Sequence, residues 1–494
     1  MTTTYLTVAI PYVNASPHLG YAYELVEADI YARACRAAGQ KVRFLGGTDD
    51  FSLKNVLAAE AARQSTAEFV KANAARFEEL AGPLELSFDD FIKTSSDRRH
   101  APAVERLWRA CFKKGDLYKR SYEGDYCVGC EQFYAQSELN DGRCPEHGLA
   151  VERVAEENWF FRLSAYQEHI DRLISSRSLL VSPEPFKEEV LAFVRRGLED
   201  ISVSRSATRA RGWGIQVPDD PTQVIYVWFD ALANYISALR FGDIDSPDYR
   251  EWWLEADERI HVIGKGILRF HAVYWPAFLA SAGEPAPTRI QVHPYLTVDG
   301  AKLSKSSGSA VDPTEIVAEY GADALRWWFA RDVGLSADTD FTTARLVARA
   351  NEDLANGLGN LVNRIVTLVH RFGSGVIPES PAGTAAAPPS LEEEVASEIA
   401  EFDYRAATRS ICEAISALNR DLEDTKPWVI AKELGALAGG TLDRHLSRYV
   451  AGAREISQAG APFVPSLSER LREQLGNSSR FSPPVPAFPR IEGH

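Results

Sequence analysis

The chain opens on Tyr5-Leu-Thr-Val-Ala-Ile10, a short apolar run stopped by Pro11, which reads as a buried strand. A helical pattern follows from about Leu19 to Ala38 and is closed by Gly39. Val42-Arg-Phe-Leu45 then reads as the next strand. Strand, helix and strand at this spacing predict a βαβ unit with a parallel sheet, whose ligands sit at the strand C-termini. Residues 66–115 read as helical and polar, and 117–156 as short, turn-rich strands. Strand signals return at Val224-Ile-Tyr-Val-Trp228, Ile260–Ile263 and Ile290–His293, so the sheet is expected to be split by a long insertion. From 346 to 460 the pattern is helical. Leu354, Leu358, Leu361, Ile365 and Leu368 alternate steps of four and three, the stripe of a bundle helix. Residues 374–390 read as a Pro/Ala/Gly/Ser linker and the segment from 480 as an extended Pro-rich tail.

Composition narrows the class. The 494 residues, 45% hydrophobic and 25% charged, fit a soluble globular chain of several domains. No apolar run approaches the roughly 18–20 residues needed to span a bilayer, so no membrane partner is expected. The N-terminus lacks a basic region ahead of its apolar stretch, so no signal peptide is expected and the chain is placed in the cytoplasm. With 54 Lys+Arg against 69 Asp+Glu the net charge is −15, which excludes nucleic-acid binding by bulk charge. Residues 346–460 alone carry 11 Lys+Arg and 16 Asp+Glu. Any nucleic-acid contact there must use local basic strips and base-specific groups.

Three of the six cysteines crowd together in Cys127-Val-Gly-Cys130, thirteen residues, then Cys144-Pro-Glu-His147. Two ligand pairs, each with two intervening residues, deliver three thiolates and an imidazole to one tetrahedral ion. That donor set suits Zn²⁺ best. Four protein ligands fill the site, so Cys127, Cys130, Cys144 and His147 are assigned to a structural zinc. Cys35, Cys111 and Cys412 have apolar neighbours and read as buried thiols.

Two further segments carry charge chemistry. Pro17-His18-Leu19-Gly20-Tyr21 lies at the first strand-to-helix turn, where free N–H groups and the helix dipole favour phosphate. Gly300-Ala-Lys302-Leu-Ser304-Lys305-Ser306-Ser-Gly308 is a basic loop between glycines that could close on a triphosphate. Taken singly, the first is also a common helix cap and the second a solvated linker.

Together they resemble the paired HLG and KLSKS signatures of class I aminoacyl-tRNA synthetases. Around them AIPYVNASPHLG, FLGGTD, YVWFDALANY, HVIGKGILRFHAVYWPAF and GADALRWWFARD resemble methionyl-tRNA synthetases, from about residue 5 to 475. The zinc knuckle, in its one-zinc form, belongs to the same resemblance. It implies an α/β Rossmann-type catalytic domain, with a parallel sheet split by the zinc-knuckle insertion, followed by an all-α anticodon-binding-type helix bundle. The implied boundaries are 1–116 and 224–310 for the two catalytic halves and 117–223 for the insertion, with its knuckle at 127–147. Residues 311–345 form a linking region, 346–475 the helical domain and 476–494 the tail. The family's optional C-terminal dimerisation domain has no counterpart, so a monomer is expected.

The resemblance also implies roles. His18, Lys265, Lys302 and Lys305 would stabilise the phosphates of Mg-ATP in the transition state. The nucleotide site would comprise His18, Gly20, Tyr21, Lys302, Ser304, Lys305 and Ser306. Asp49 would hold the substrate ammonium, and Ile10, Tyr12, Trp228, Ala231, Leu232, Tyr235 and His271 would form the methionine pocket. Asn360, Arg364 and Trp428 would read the CAU anticodon of tRNA(Met). Asn356, Asn360 and Arg364 share one helix face by their spacing, and an aromatic platform with amide and guanidinium donors suits unstacked bases.

Several departures lie near the chemistry. Tyr21 stands where the family usually has histidine, and Asp50-Phe51-Ser52 where it has Glu-His-Gly. Gly266 follows Lys265 where the family has aspartate, which leaves Arg205 without its usual carboxylate partner. These departures keep a second reading open: a paralogue that makes the same adenylate but transfers it to a small amine or hydroxyl acceptor. A non-catalytic RNA-binding relative is the third reading, set against the retention of His18, Asp49, Lys265, Lys302 and Lys305.

Overall fold

The structure is a computed structural model that describes residues 2–127, 132–134, 136–146, 148–298, 301–302, 311–376, 390–434, 439–476 and 481–492. Six strands form a parallel sheet: β1 (Thr3–Val8), β2 (Lys41–Thr48), β3 (Asp90–Lys93), β4 (Leu180–Ser182), β5 (Glu258–Gly264) and β6 (Arg289–His293). Their order is β3-β2-β1-β5-β6-β4. β1 is buried on both faces, because Leu6 and Val8 enter one hydrophobic core while Tyr5 and Ala9 enter the other. Helix α1 (Leu19–Ala37) returns the chain from β1 to β2, as the apolar pattern predicts.

Three strand assignments need correction. The run Val224–Trp228 is not a strand of the parallel sheet. Its first part ends a strand, Asp220–Ile225, that pairs antiparallel with Ser204–Ser206 and Gln216–Val217 in a separate sheet. The rest starts the helix Val227–Leu232, since a short apolar run carries no period to separate strand from helix. Conversely, β3 lies inside the stretch read as helical, and β4 lies inside the span 117–223 assigned to the insertion.

The first part of that insertion is a long hairpin, Leu117–Cys127 against Glu152–Phe161, with Gln132–Tyr134 and Ile201–Ser202 on its edges. Cys127 and Cys144 are buried near its tip with Tyr134, packed by Leu139 and Val151. Cys130 and His147 lie outside the described residues. Cys35 and Cys111 are buried as expected, and Cys412 is half-buried.

Downstream, Thr343–Arg349, a π-helical stretch Ala350–Gly359 and Asn360–Gly373 run on as one helix. Leu354, Leu358, Leu361, Ile365 and Leu368 are all buried on it. It packs with Tyr404–Thr425, Gly439–Gly460 and Pro465–Leu475. The core of this bundle is continuous with one face of the parallel sheet through Trp327, Trp328 and Phe329. The span 377–389, most of the expected linker, lies outside the described residues.

One side chain fastens the two parts. Arg326 has no exposed surface and pairs with the equally buried Asp29 of α1 at 2.8 Å. It also donates to the carbonyls of Leu84, Pro462 and Phe463. Burial pushes the Asp29 carboxyl up, but Arg326, Arg33 and Ser87 hold it below the usual carboxylate range. Replacing Arg326 by Met leaves the buried Asp29 carboxylate to Arg33 and Ser87 alone and strips three buried carbonyls of their donor. It should cost about 3–5 kcal/mol in urea unfolding; a loss below about 1 kcal/mol would show that the clamp is not structural.

Candidate functional site

A cavity of about 350 Å³ opens at the C-terminal ends of β1, β5 and β6. Strand order reverses between β1 and its neighbours here, the crevice where parallel sheets take ligands. Ala9, Ile10 and Tyr12 line it after β1, and His18, Gly20, Tyr21 and Glu24 from the start of α1. Gly264 and Gly266 contribute from β5, and His293 and Tyr295 from β6. Tyr134 and Glu146 of the hairpin tip complete the wall.

His18 is the N-cap of α1, and its Nδ1 accepts from the Tyr21 backbone N–H at 3.3 Å. That bond leaves Nε2 as the protonated nitrogen, able to donate to an anion at the helix start. A Cβ on Gly20 would stand 3.1 Å from the His18 ring, so glycine here makes room for the imidazole itself. Tyr21 donates to Gly47 O at 3.4 Å and packs on Phe77, a wall residue anchored to β2.

The apolar side of the cavity is aromatic. Trp228 stacks on Phe270 with centroids 3.8 Å apart and lies 6.4 Å from Tyr12. Its indole Nε1 is buried without a hydrogen-bond partner among the described residues. Four other predicted pocket residues, Ala231, Leu232, Tyr235 and His271, are buried behind this wall rather than on it. His271 Nδ1 donates to Ile267 O at 3.0 Å, and the Tyr235 hydroxyl donates to His271 Nε2 at 2.7 Å. Burial lowers His271 to about 4, so the imidazole is neutral. Asp49 is buried beside Tyr12 through backbone pairing, and its Oδ1 accepts from the Phe51 N–H.

The departures at 50–52 are accommodated. Asp50 accepts from the backbone and hydroxyl of Ser95, Phe51 packs on Trp213, and Ser52 caps the helix Leu53–Ala61. Arg205 is not isolated by Gly266. It donates to Ser202 Oγ and Ser204 O and lies over the Tyr226 ring at 4.2 Å. Lys265 binds both carboxylate oxygens of Asp338, at 2.7 and 2.9 Å. Lys302 ends the short strand Ala301–Lys302, while Ser304, Lys305 and Ser306 lie outside the described residues.

Sequence reasoning missed the buried pair Glu24–His293, 3.0 Å apart on the cavity floor. Burial raises the Glu24 carboxyl; it would lower His293, but the bond to Glu24, the charges of Glu27 and Glu24 and the Pro294 carbonyl together raise it. Three acidic residues, Glu24, Glu27 and Asp29, in the buried stretch of α1 were the available signal. Lys54 was also missed; its ammonium lies 5.2 Å from the Tyr12 ring centroid at the cavity wall.

In the bundle, Asn360 is exposed. Arg364 is held by Asn419 and Glu423 of the facing helix. Trp428 is half-buried against the core.

A family model described as tRNA synthetases class I (M) matches residues 4–155 and 150–366. The methionine–tRNA ligase of Caldanaerobacter subterraneus is 38% identical over 489 residues, covering 96% of this chain and 74% of its own. The chain belongs to the class I methionine–tRNA ligases. The ligase of Thermosynechococcus vestitus is also 38% identical, with 97% of this chain and 90% of its own covered. The methionyl-tRNA synthetase of Mycobacterium tuberculosis in complex with methionyl-adenylate superposes with a TM-score of 0.93 at 36% identity. That match spans 99% of this chain and all of the other. Nothing among these relatives favours a small-molecule acceptor.

The neutral His271 makes a prediction of its own. Its folded value is lowered from 6.5 to about 4, so its contribution is full above pH 6.5 and is lost as pH falls towards 4. In urea unfolding, the stability gap between the wild type and His271→Gln should narrow over that range. A gap constant from pH 7 to 4 would mean that the imidazole titrates alike in the folded and unfolded chain and is not held neutral by burial.

Proposed function

We propose that the chain activates methionine with ATP and passes it to tRNA(Met), and that the cavity at the ends of β1, β5 and β6 is where both steps occur. The adenylate-bound relative of the same overall structure is the observation that carries this reading. A methionine carboxylate oxygen attacks the α-phosphorus of ATP and pyrophosphate leaves. A hydroxyl of the terminal tRNA ribose then attacks the adenylate carbonyl carbon, and AMP leaves. No covalent enzyme intermediate is needed, so the protein's task is positioning and charge stabilisation.

His18 Nε2–H and the start of α1 face the phosphates from one side and Lys265 from the other, and the KLSKS signature assigns Lys302 and Lys305 to the same task. Mg²⁺ enters with the nucleotide. Trp228, Phe270, Tyr12 and Ile10 enclose the thioether, whose polarizable sulfur gains from ring contacts. The Tyr235–His271 pair holds that wall from behind as neutral groups. Asp49 faces the substrate ammonium. Asn360, Arg364 and Trp428 read the anticodon; because the bundle is acidic, discrimination rests on these groups and not on a positive field. The chain acts as a cytoplasmic monomer.

ATP–pyrophosphate exchange over a panel of amino acids, followed by charging of initiator tRNA, tests this. Methionine should exchange and give stable aminoacyl-tRNA, and Lys305→Ala should slow exchange far more than it weakens methionine binding. Exchange without charging would transfer the chain to the small-molecule reading.

The zinc belongs to this proposal too. Among the described residues no three potential ligands gather at one point. Cys127 and Cys144 nevertheless share a tip too small for a core of its own, with Cys144 Sγ 3.7 Å from the Tyr134 hydroxyl. Soft donors buried there fit a structural Zn²⁺ completed by Cys130 and His147. Metal analysis should find one zinc per chain, lost in Cys144→Ser together with thermal stability; equal zinc in both would refute the assignment.

A further inference from the structure

Gly266 is more than a missing aspartate. A Cβ built on it would lie 2.0 Å from the Tyr295 hydroxyl, so the phenol occupies the space that any side chain at 266 would need. The Tyr295 ring in turn lies 4.7 Å from the Lys265 ammonium, within cation–π range. Asp338 takes the other side of that ammonium with both oxygens and also accepts from the Tyr295 backbone N–H at 2.9 Å. Thr339 N–H closes the arrangement on Tyr295 O at 3.1 Å.

The segment is fastened further. Leu296–Val298 pairs on one side with Thr339–Asp340 and on the other with Ala301–Lys302. The cradle of Lys265 therefore stands at the root of the lysine-rich loop. The carboxylate beside Lys265 comes from a segment more than seventy residues downstream.

We propose that Tyr295 and Asp338 are positioning residues for methionine activation, holding the Lys265 ammonium between a ring face and a carboxylate at the mouth of the cavity, an arrangement that requires glycine at 266. The inference rests on the reading of Lys265 as a phosphate-side cation. A lysine has four rotatable side-chain bonds, and fixing its head before ATP arrives removes an ordering cost from the transition state. The pair is not there for stability. Lys265 is 30% and Asp338 39% exposed, and ion pairs at that exposure contribute little to folding.

The test is ATP–pyrophosphate exchange, with kcat and KM measured separately and melting temperatures as controls. Lys265→Ala sets the scale and should lower kcat at least about tenfold. Asp338→Asn keeps the acceptor for the Tyr295 N–H but loses the charge; Tyr295→Leu removes the ring face. Each should lower kcat about three- to tenfold with the methionine KM within about twofold. Tyr295→Phe keeps the ring and should remain near the wild type. Gly266→Ala should be slow and should recover when Tyr295→Phe is added, since the nearest remaining ring atom is then 3.3 Å from the new methyl. Wild-type kcat in both Asp338→Asn and Tyr295→Leu, beside a slow Lys265→Ala, overturns the proposal and leaves the role of Lys265 intact. Wild-type kcat in Lys265→Ala removes that role and the proposal with it.

Discussion

The buried contact between Arg326 and Asp29 is the constraint on which the arrangement of the molecule depends. A guanidinium without water must meet a charge partner and acceptors for its remaining N–H groups. It finds them on α1, at Leu84 and in the turn before the last bundle helix, elements scattered over more than four hundred residues. Satisfying one side chain thus sets the sheet and the bundle against each other. The continuous core around Trp327 and Trp328 fills the space that results.

Within that frame the parallel sheet sets the site. Carbonyl-terminal strand ends and the start of α1 converge on one crevice, and each wall performs a different task. The α1 side offers donors to anions, the Trp228–Phe270 side offers polarizable rings, and the Lys265 side offers a held cation. The residues behind the walls are neutral or paired. His271 is kept uncharged by burial, and Glu24 and His293 satisfy one another. A site that stabilises developing charge on a substrate benefits when its own buried groups are settled beforehand.

Much of this is legible in the sequence, for physical reasons that also mark the limits. β1, α1 and β2 follow from the local pattern, because a strand buried on both faces and a helix closed by glycine leave plain signatures. The stripe from Leu354 to Leu368 is read correctly even across a π-helical stretch, since burial follows the apolar positions. β3 and β4 are not legible: four and three residues long, they become strands only because the sheet edges accept them. Val224–Trp228 misleads because its apolar residues serve two elements in turn. Ile10, Tyr12, His18 and Trp228, named from motifs, all line the cavity. No local motif shows that Tyr235 and His271 stand one layer back, or that Asp338 and Tyr295 frame Lys265, for those relations exist only between distant segments. The net charge of −15 excludes only binding by bulk charge, and it leaves the proposed tRNA contact to local groups.

In the proposed reaction this cavity holds the methionyl-adenylate against the Trp228–Phe270 wall. Calorimetric titration of a non-hydrolysable methionyl-adenylate analogue into the wild type and Trp228→Ala tests it most directly. Saturable one-to-one binding is expected, weakened at least about tenfold in the variant, a loss of about 1.4 kcal/mol or more. Equal affinity in the two proteins would contradict it.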